Sequence, residues 1–133
     1  MPNWCRNDLE VRGPEAEVAR FAAAARGRYA WPGEGGTDGE EEVFCLNALY
    51  PTPEDVVAKG YEPAGFDWEV ANWGVKWGGW YSTVLESSPG RVHYRIDTPW
   101  GPPMEFFARV VADWPGLGFY TRRGMVCHFP TDR

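Results

Sequence analysis

Residues 5–12 alternate between apolar and charged side chains, which is the period of a β-strand with one buried face. Gly13 and Pro14 follow, and proline suits the first position of a helix because its missing N–H needs no partner there. An apolar stripe at helical spacing begins at Val18 and predicts an amphipathic helix over 14–26. A strand that leads directly into a helix with one apolar stripe indicates that the helix covers one face of a sheet.

The second half of the chain predicts a hairpin followed by another helix. Two alternating segments at 80–86 and 91–97 are separated by turn residues, which is typical of two antiparallel strands. Apolar spacing predicts a second helix over 103–113 and a last strand over 117–122. A continuous apolar run at 43–49 predicts one more buried strand.

This order of elements predicts an α+β fold, formed as a single domain over 1–133. The order β-α-β followed by β-β-α-β is typical of a ferredoxin-like sandwich, with a four- or five-stranded antiparallel sheet and two helices on one face. The irregular stretch over 60–79 predicts a Trp-rich insertion. The stripes of the two helices predict that Phe21, Phe107 and Val111 are buried.

Composition excludes several classes of protein. The 133 residues carry a formal net charge of −6, whereas proteins that bind duplex DNA present dense lysine and arginine. No apolar run approaches the roughly 20 residues of a membrane-spanning helix, so no membrane association is predicted. The chain begins without the pattern of a secretory leader, and we therefore expect a cytoplasmic protein.

The segment 33–42 is rich in acids and glycines and contains no base. It has too little apolar surface to offset the entropy lost on ordering, which predicts a mobile and dispensable loop. The alternating oxygen ligands of a calcium-binding EF-hand are missing from it, so calcium is not expected there.

The cysteines and histidines indicate no metal site and no cofactor. Cys5, Cys45 and Cys127 are odd in number and lack CxxC spacing, which predicts reduced, buried thiols. In the ferredoxin-like order the first and last strands are neighbours, so Cys5 and Cys127 are expected near each other. His93 alternates with apolar residues on a predicted strand and is interpreted as a residue of the solvent face or as a cross-strand residue.

Three short sequence motifs that contain tryptophan occur in order along the chain. They are MPNWCRN at 1–7, WEVANWGVKW at 68–77 and DTPWGPP at 97–103. Together they resemble the YubB-like family, which is carried by plasmids and phages. The resemblance covers nearly the whole chain and implies a ferredoxin-like domain with a shared surface, without implying an activity. Pro99 and Gly101 depart from the alanine and serine that are usual in the third motif.

The tryptophans support two interpretations, a satellite core over the sheet or a recognition surface. For the second, we expect a small non-enzymatic protein that presents a Trp-rich surface to a protein partner, because tryptophan is a common anchor at interfaces. The predicted binding residues are Trp4, Asn72, Trp73, Lys76, Trp77 and Trp100.

Two alternatives remain open. Single-stranded nucleic acid or a nucleotide would bind on the sheet face, although the acidic charge disfavours it. An enzyme would use Asp97, Asn72 and Lys76, but no motif assigns them a catalytic role.

Three glycines weaken any helix near 74–79, so residues 72–77 are predicted to be irregular. One of Trp73 and Trp77 is expected to be buried, and the other indole to reach solvent beside Lys76.

Overall fold

The computed structural model describes residues 3–36, 39–78 and 80–121. Its strands are β1 Trp4–Arg12, β2 Trp80–Ser88, β3 Arg91–Pro99 and β4 Gly118–Thr121. Its α-helices are α1 Glu15–Ala24, α2 Leu46–Leu49, α3 Glu54–Lys59, α4 Phe66–Asn72 and α5 Met104–Asp113. A π-helical turn at Tyr61–Gly65 leads directly into α4.

The strands form one antiparallel sheet in the order β2-β3-β1-β4. β1 is central, and it pairs with β3 along its whole length, from Trp4 opposite Pro99 to Arg12 opposite Arg91. The predicted hairpin is present as β2 and β3, and the predicted last strand as β4. The fold is therefore α+β with an open sheet. The α+β class agrees with the prediction from the order of elements in the sequence.

Both long helices contribute to a core on one face of the sheet. The ring of Phe21 in α1 packs against that of Tyr94 in β3, with ring centres 6.4 Å apart. Phe44 links Tyr94 to Phe106 of α5. Because side chains alternate along a strand, the charged residues of β1 and β3 lie on the opposite face. The buried sheet residues of this core are Leu9, Val11, Val92, Tyr94 and Ile96.

Residues 43–49 do not form the predicted strand. Glu42 makes an isolated bridge with Gly27, and α2 begins at Leu46. A short apolar run is compatible with a strand or a buried helix, so its period does not decide between them. Here Cys45, Leu46 and Leu49 are buried together at helical spacing. The expectation of a strand is therefore wrong, and the described sheet has four strands.

The buried face of α5 differs from the predicted one. Phe106 and Val110 are buried, whereas Val111 is 50% exposed and Phe107 is only partly buried. The burial predicted for Phe21 is confirmed, that of Phe107 is met only in part, and that of Val111 is wrong. Both faces of α5 carry apolar residues at helical spacing, so packing against the core decides which one is buried.

The acidic segment is tied to the fold at its end. The backbone of Glu42 exchanges two hydrogen bonds with Gly27, of 2.8 and 3.1 Å. Its carboxylate accepts hydrogen bonds from the hydroxyl of Ser82 at 2.6 Å and from the Ser82 N–H at 3.2 Å. The expectation of a mobile loop is therefore wrong at Glu42, whereas these contacts do not test whether the segment is dispensable. Residues 37 and 38 lie outside the described part.

The cysteines differ in state. Cys45 is free, and burial raises the pKa of its thiol. Cys5 is disulfide-bonded, so the expectation of a reduced thiol is wrong for this residue. Cys127, and with it the predicted proximity to Cys5, lies outside the described residues.

The described helices are short. The longest, α1 and α5, have 10 residues each. Across the described ranges, none combines the length and the apolar content that crossing a membrane requires.

Replacement of Phe106 by alanine tests the assigned face of α5. Phe106→Ala should lower the free energy of unfolding by about 3–5 kcal/mol, because it removes a fully buried ring. The matched control on the same helix is Val111→Ala, which should change it by no more than about 0.5 kcal/mol. Urea denaturation measures both values, and a larger loss for Val111→Ala would reverse the assignment.

A second pair of variants tests the anchor of the acidic segment. Glu42→Ala should destabilise the protein by about 1–2 kcal/mol, because the Ser82 backbone N–H and hydroxyl lose a charged acceptor. Glu41, whose exposed carboxylate pairs with exposed Arg26 at 3.1 Å, is the control. Glu41→Ala should cost less than about 0.5 kcal/mol in the same urea denaturation. Equal effects would show that the loop is held without Glu42.

Candidate functional site

The ammonium of Lys76 lies between two indole rings. Its Nζ is 3.9 Å from the centre of the Trp77 ring and 4.8 Å from that of Trp100. The ring of Phe66 stands edge-on to Trp100, with centroids 6.3 Å apart. Trp77, Trp100 and Lys76 are all partly buried. We call the space bounded by the rings of Trp77 and Trp100 the indole cage.

Glu69 positions the Trp77 wall of the cage. The backbone N–H of Trp77 donates to Oε1 of Glu69 at 2.8 Å. On the ring itself, Gly35 approaches so closely that a side chain at position 35 would collide with the indole. The Trp77 wall is thus held at its backbone and against one part of its ring.

Glu69 is fully buried, and it joins three parts of the chain. Besides the Trp77 N–H, its carboxyl group accepts hydrogen bonds from the hydroxyls of Tyr29 at 2.6 Å and Tyr61 at 3.2 Å. Trp31 stands edge-on to both tyrosine rings, at 6.1 and 5.3 Å between centroids. These contacts close the carboxyl group off from water on the tyrosine side.

Burial changes the acidity of this cluster. Desolvation raises the pKa of Glu69 to about 7, although the hydrogen bonds from Tyr29, Trp77 and Tyr61 each favour the ionised form; the negative charge of Glu34 adds to the increase. Burial, together with the charge of Glu69, also raises the pKa of the Tyr29 and Tyr61 hydroxyls. The tyrosines therefore act as hydrogen-bond donors near neutral pH.

The Trp100 wall is positioned by a second buried polar group. The N–H of Trp100 donates to the carbonyl of Asn3 at 2.8 Å. The hydroxyl of Thr98 donates to the carbonyl of Gly101 at 2.7 Å, and the side-chain amide of Asn7 donates to Thr98 Oγ1 at 2.9 Å. Asn7 and Thr98 are both fully buried. The first and third tryptophan motifs therefore meet at the start of β1.

Both walls of the cage have an unfavourable backbone conformation. Trp77 has φ 71° and Trp100 has φ 75°. Left-handed backbone costs a residue with a side chain roughly 1–2 kcal/mol, so it persists only where surrounding contacts enforce it. At Trp77 the Glu69 bond does so, and at Trp100 the Asn3 bond. Such conformations concentrate at binding and catalytic sites.

The other predicted binding residues lie in different environments. Trp73 is fully buried, and its indole N–H donates to the carbonyl of Tyr50 at 3.0 Å. Asn72 accepts a hydrogen bond from the Tyr50 hydroxyl at 2.8 Å and donates to the carbonyl of Trp68. Trp4 is partly buried and begins β1 opposite Pro99. Trp73 and Asn72 thus make internal contacts, whereas Lys76, Trp77 and Trp100 meet at the surface.

The backbone of this segment combines helix and loop. Residues 66–72 are helical as α4, and residues 73–77 are irregular. The prediction of irregular backbone over 72–77 is therefore wrong at Asn72. One indole of the pair is buried and the other partly exposed, as predicted, and the structure shows that Trp73 is the buried one.

Sequence reasoning missed the polar residues that hold the cage. The sequence patterns assign no role to Glu69, Tyr29 or Tyr61. One signal was present: Phe66, Glu69 and Trp73 are spaced i, i+3, i+7, so a carboxylate sits on the apolar stripe of a helix. A charged residue in such a stripe indicates a buried and partnered group.

The outer face of the sheet carries a second polar cluster. His93 is 6% exposed, and its Nε2 lies 3.3 Å from Oδ1 of Asp8. Of the two interpretations of His93, the cross-strand one is confirmed, because its partner Asp8 lies on the neighbouring strand β1. A cavity of about 170 Å³ adjoins this pair and is lined by Asp8, Glu10, His93, Tyr120 and Thr121. Across the described ranges, no three acidic, histidine or cysteine side chains group together to hold a metal.

The arginines of this face are matched by carboxylates. Arg6 pairs with Asp8 at 3.2 Å, and Arg95 with Asp97 at 3.2 Å. Arg12 and Arg91 both hydrogen-bond to Glu10 and lower its pKa to about 2. The face is therefore charged, but its charges neutralise one another locally.

No protein-family model, curated protein or solved structure matches this chain. The resemblance to the YubB-like family therefore depends on the three tryptophan motifs.

The pH dependence of stability tests the buried state of Glu69. Between its ordinary pKa of 4.5 and about 7, the folded protein keeps a proton that the unfolded chain releases. The free energy of unfolding should therefore fall as pH rises through this window, by about 3 kcal/mol, and level off above it. Glu69→Gln stays neutral and should lack this decline in urea denaturation.

Tyr29→Phe refines the test. It removes a hydrogen bond that favours the ionised carboxyl, so the decline should extend to higher pH. Parallel curves for the wild type and Glu69→Gln across the window would show that Glu69 keeps an ordinary pKa.

Proposed function

We propose that this chain is a small binding protein of the YubB-like type that recognises a protein partner through the indole cage. The observation that carries the proposal is the pair of indole faces held on either side of the Lys76 ammonium at 3.9 and 4.8 Å. Tryptophan side chains supply a large share of binding free energy at protein interfaces. The backbone N–H groups of both tryptophans are hydrogen-bonded within the fold, so less ordering remains to be done on binding.

The frame for this surface is proposed to be ferredoxin-like with a Trp-rich insertion. The order β1-α1-β2-β3-α5-β4, with β1 between β3 and β4, supports this topology. The residues between α1 and β2 would then form the insertion, and Trp77 comes from it. Trp100 comes from the end of β3, so the cage would be shared between insertion and frame.

The charges of the sheet face favour a protein over a nucleic acid. Binding of single strands combines stacking rings with a basic groove. On this sheet the arginines already pair with Asp8, Glu10 and Asp97. Tyr120 is an exposed ring here, and the guanidinium of Arg12 covers it at 5.0 Å. The phosphate backbone of a nucleic acid would have to displace these ion pairs on a protein whose net charge is −6.

The enzyme hypothesis has less support. Asp97 is engaged by Arg95, and Asn72 by Tyr50 and Trp68. Lys76 faces the indoles instead of either residue. We therefore propose a binding protein in place of a catalyst.

Removal of one cage wall tests the proposed function. Trp100→Gly deletes the indole and suits the positive φ at this position, so the fold should be retained. Capture of partners from the native host should fall by about thirtyfold in affinity, equivalent to about 2 kcal/mol for a tryptophan anchor. Quantitative mass spectrometry of the captured proteins, with thermal unfolding as the check on folding, provides the measurement.

Tyr120→Ala is the matched control, because it deletes an exposed ring on the outer face of the sheet. It should leave capture unchanged. If a folded Trp100→Gly protein retained every partner while Tyr120→Ala lost them, recognition would belong to the sheet face. Saturable binding of single-stranded DNA or RNA by the wild type at physiological salt would favour the nucleic-acid alternative.

A further inference from the structure

The indole cage has the chemistry of a cation site. The face of an indole carries negative potential, and a cation within about 6 Å of its centre is attracted to it. Lys76 Nζ meets this condition at both Trp77 and Trp100. The protein's own lysine thus indicates which ligand class the two faces accept.

Lys76 is held less firmly than the other cations that contact rings. Arg109 lies 4.3 Å from the Tyr50 ring and also bonds to Asp113 at 2.8 Å. Arg12 lies over Tyr120 and bonds to Glu10 at 2.9 Å. Lys76 has no ion pair or hydrogen bond to any of the described residues, and the contacts that its ammonium makes with them are to the two rings.

The walls of the cage do not depend on Lys76. Trp77 is held by Glu69, and Trp100 by the carbonyl of Asn3. If the lysine side chain swings out, these backbone bonds remain, as do the ring contacts of Trp77 with Gly35 and of Trp100 with Phe66. An emptied cage would be preorganised for another cation.

Acidic residues lie close in the sequence to the residues that form or contact the cage. Glu34 precedes Gly35, which lies against the Trp77 ring, and Asp67 follows Phe66, which contacts Trp100. The carboxylate of Glu105 occupies the space into which a side chain at Gly74, two residues before Lys76, would project. Together with the net charge of −6, these carboxylates attract a cationic group towards the cage.

We propose that the indole cage is an exchangeable site for an alkylammonium group. Lys76 occupies it in the isolated protein, and a lysine-type ammonium of the partner displaces Lys76 in the complex. The inference builds on the proposed function, because it names the group that the partner contributes. An alkylated ammonium suits the cage best, since it needs no hydrogen-bond acceptor and the cage consists of ring faces.

Choline is the probe, and its neutral analogue with carbon in place of nitrogen is the ligand control. Binding is followed by NMR through the indole N–H signals of Trp77 and Trp100. The variants are Lys76→Ala, which empties the cage, and Lys59→Ala, which removes the chain's other lysine from an exposed position. Lys76→Arg keeps a cation in the cage. Thermal unfolding verifies that each variant is folded.

Choline should bind Lys76→Ala about tenfold more tightly than the wild type, because the competing internal cation is gone. Lys59→Ala and Lys76→Arg should resemble the wild type. Adding Trp100→Gly to Lys76→Ala should abolish binding, and the neutral analogue should not bind. Equal affinity of wild type and Lys76→Ala would overturn the proposal, as would equal binding of the neutral analogue.

Reductive methylation with isotope-labelled formaldehyde tests the displacement directly, since it labels the side chains of Lys59 and Lys76. The indoles should shift the methyl signals of Lys76 upfield by ring currents, while those of Lys59 should stay at the position of a free side chain. Choline should then move the Lys76 signals towards those of Lys59. Lys76 signals that stay unmoved at saturating choline would rule out exchange.

Two further ligands distinguish the source of the ammonium. A short peptide with one trimethyllysine should bind Lys76→Ala more tightly than choline if the group belongs to a protein partner, and tighter binding of choline would overturn that source. The outcome is independent of the capture experiment. Loss of capture by Trp100→Gly without choline binding to Lys76→Ala would remove the alkylammonium inference and leave the proposed function standing.

Discussion

The buried carboxyl group of Glu69 links three segments that are far apart in the sequence. Tyr29 follows α1, Tyr61 belongs to the π-helical turn, and Trp77 follows α4; all three donate a hydrogen bond to it. Burying a carboxylate is unfavourable unless it is partnered or protonated. Here the partners are complete enough to hold the group, and its raised pKa lets a proton reduce the remaining cost.

A comparable buried amide organises the other side of the cage. Asn7 joins β1 to β3 through the carbonyl of Ile96 and the hydroxyl of Thr98, and Thr98 in turn bonds to Gly101. Buried networks of this kind specify one arrangement of the chain because a half-satisfied network is unfavourable. The polar residues of the tryptophan motifs thus have structural roles, whereas the indoles of Trp77 and Trp100 remain at the surface.

The molecule separates two kinds of charged surface. On the sheet face, arginine and carboxylate side chains satisfy one another, which leaves little for a ligand to gain. At the indole cage, the ammonium of Lys76 is retained by ring faces without a carboxylate partner among the described residues. A site whose occupant is weakly held between fixed walls is the better candidate for exchange with a partner.

Local periodicity determined much of this fold. The alternation in β1 and β3, the stripe of α1 and the turn at 89–90 depend on neighbouring residues, so the sequence alone predicted them. It also indicated that one of two nearby indoles would be buried. The strand expected at 43–49 and the exposed Val111 were not predictable in this way, because either structure satisfies the same apolar pattern.

Only the tertiary structure decided the site. The sequence grouped Trp73 with Trp77 because they are four residues apart, but packing buries the first and places the second opposite Trp100. It gave no sign that Glu69 would meet Tyr29, forty positions away, or that Lys76 would lie between two indoles. Hydrogen bonds and ring contacts between distant segments form only when the core brings those segments together, and no local pattern records them.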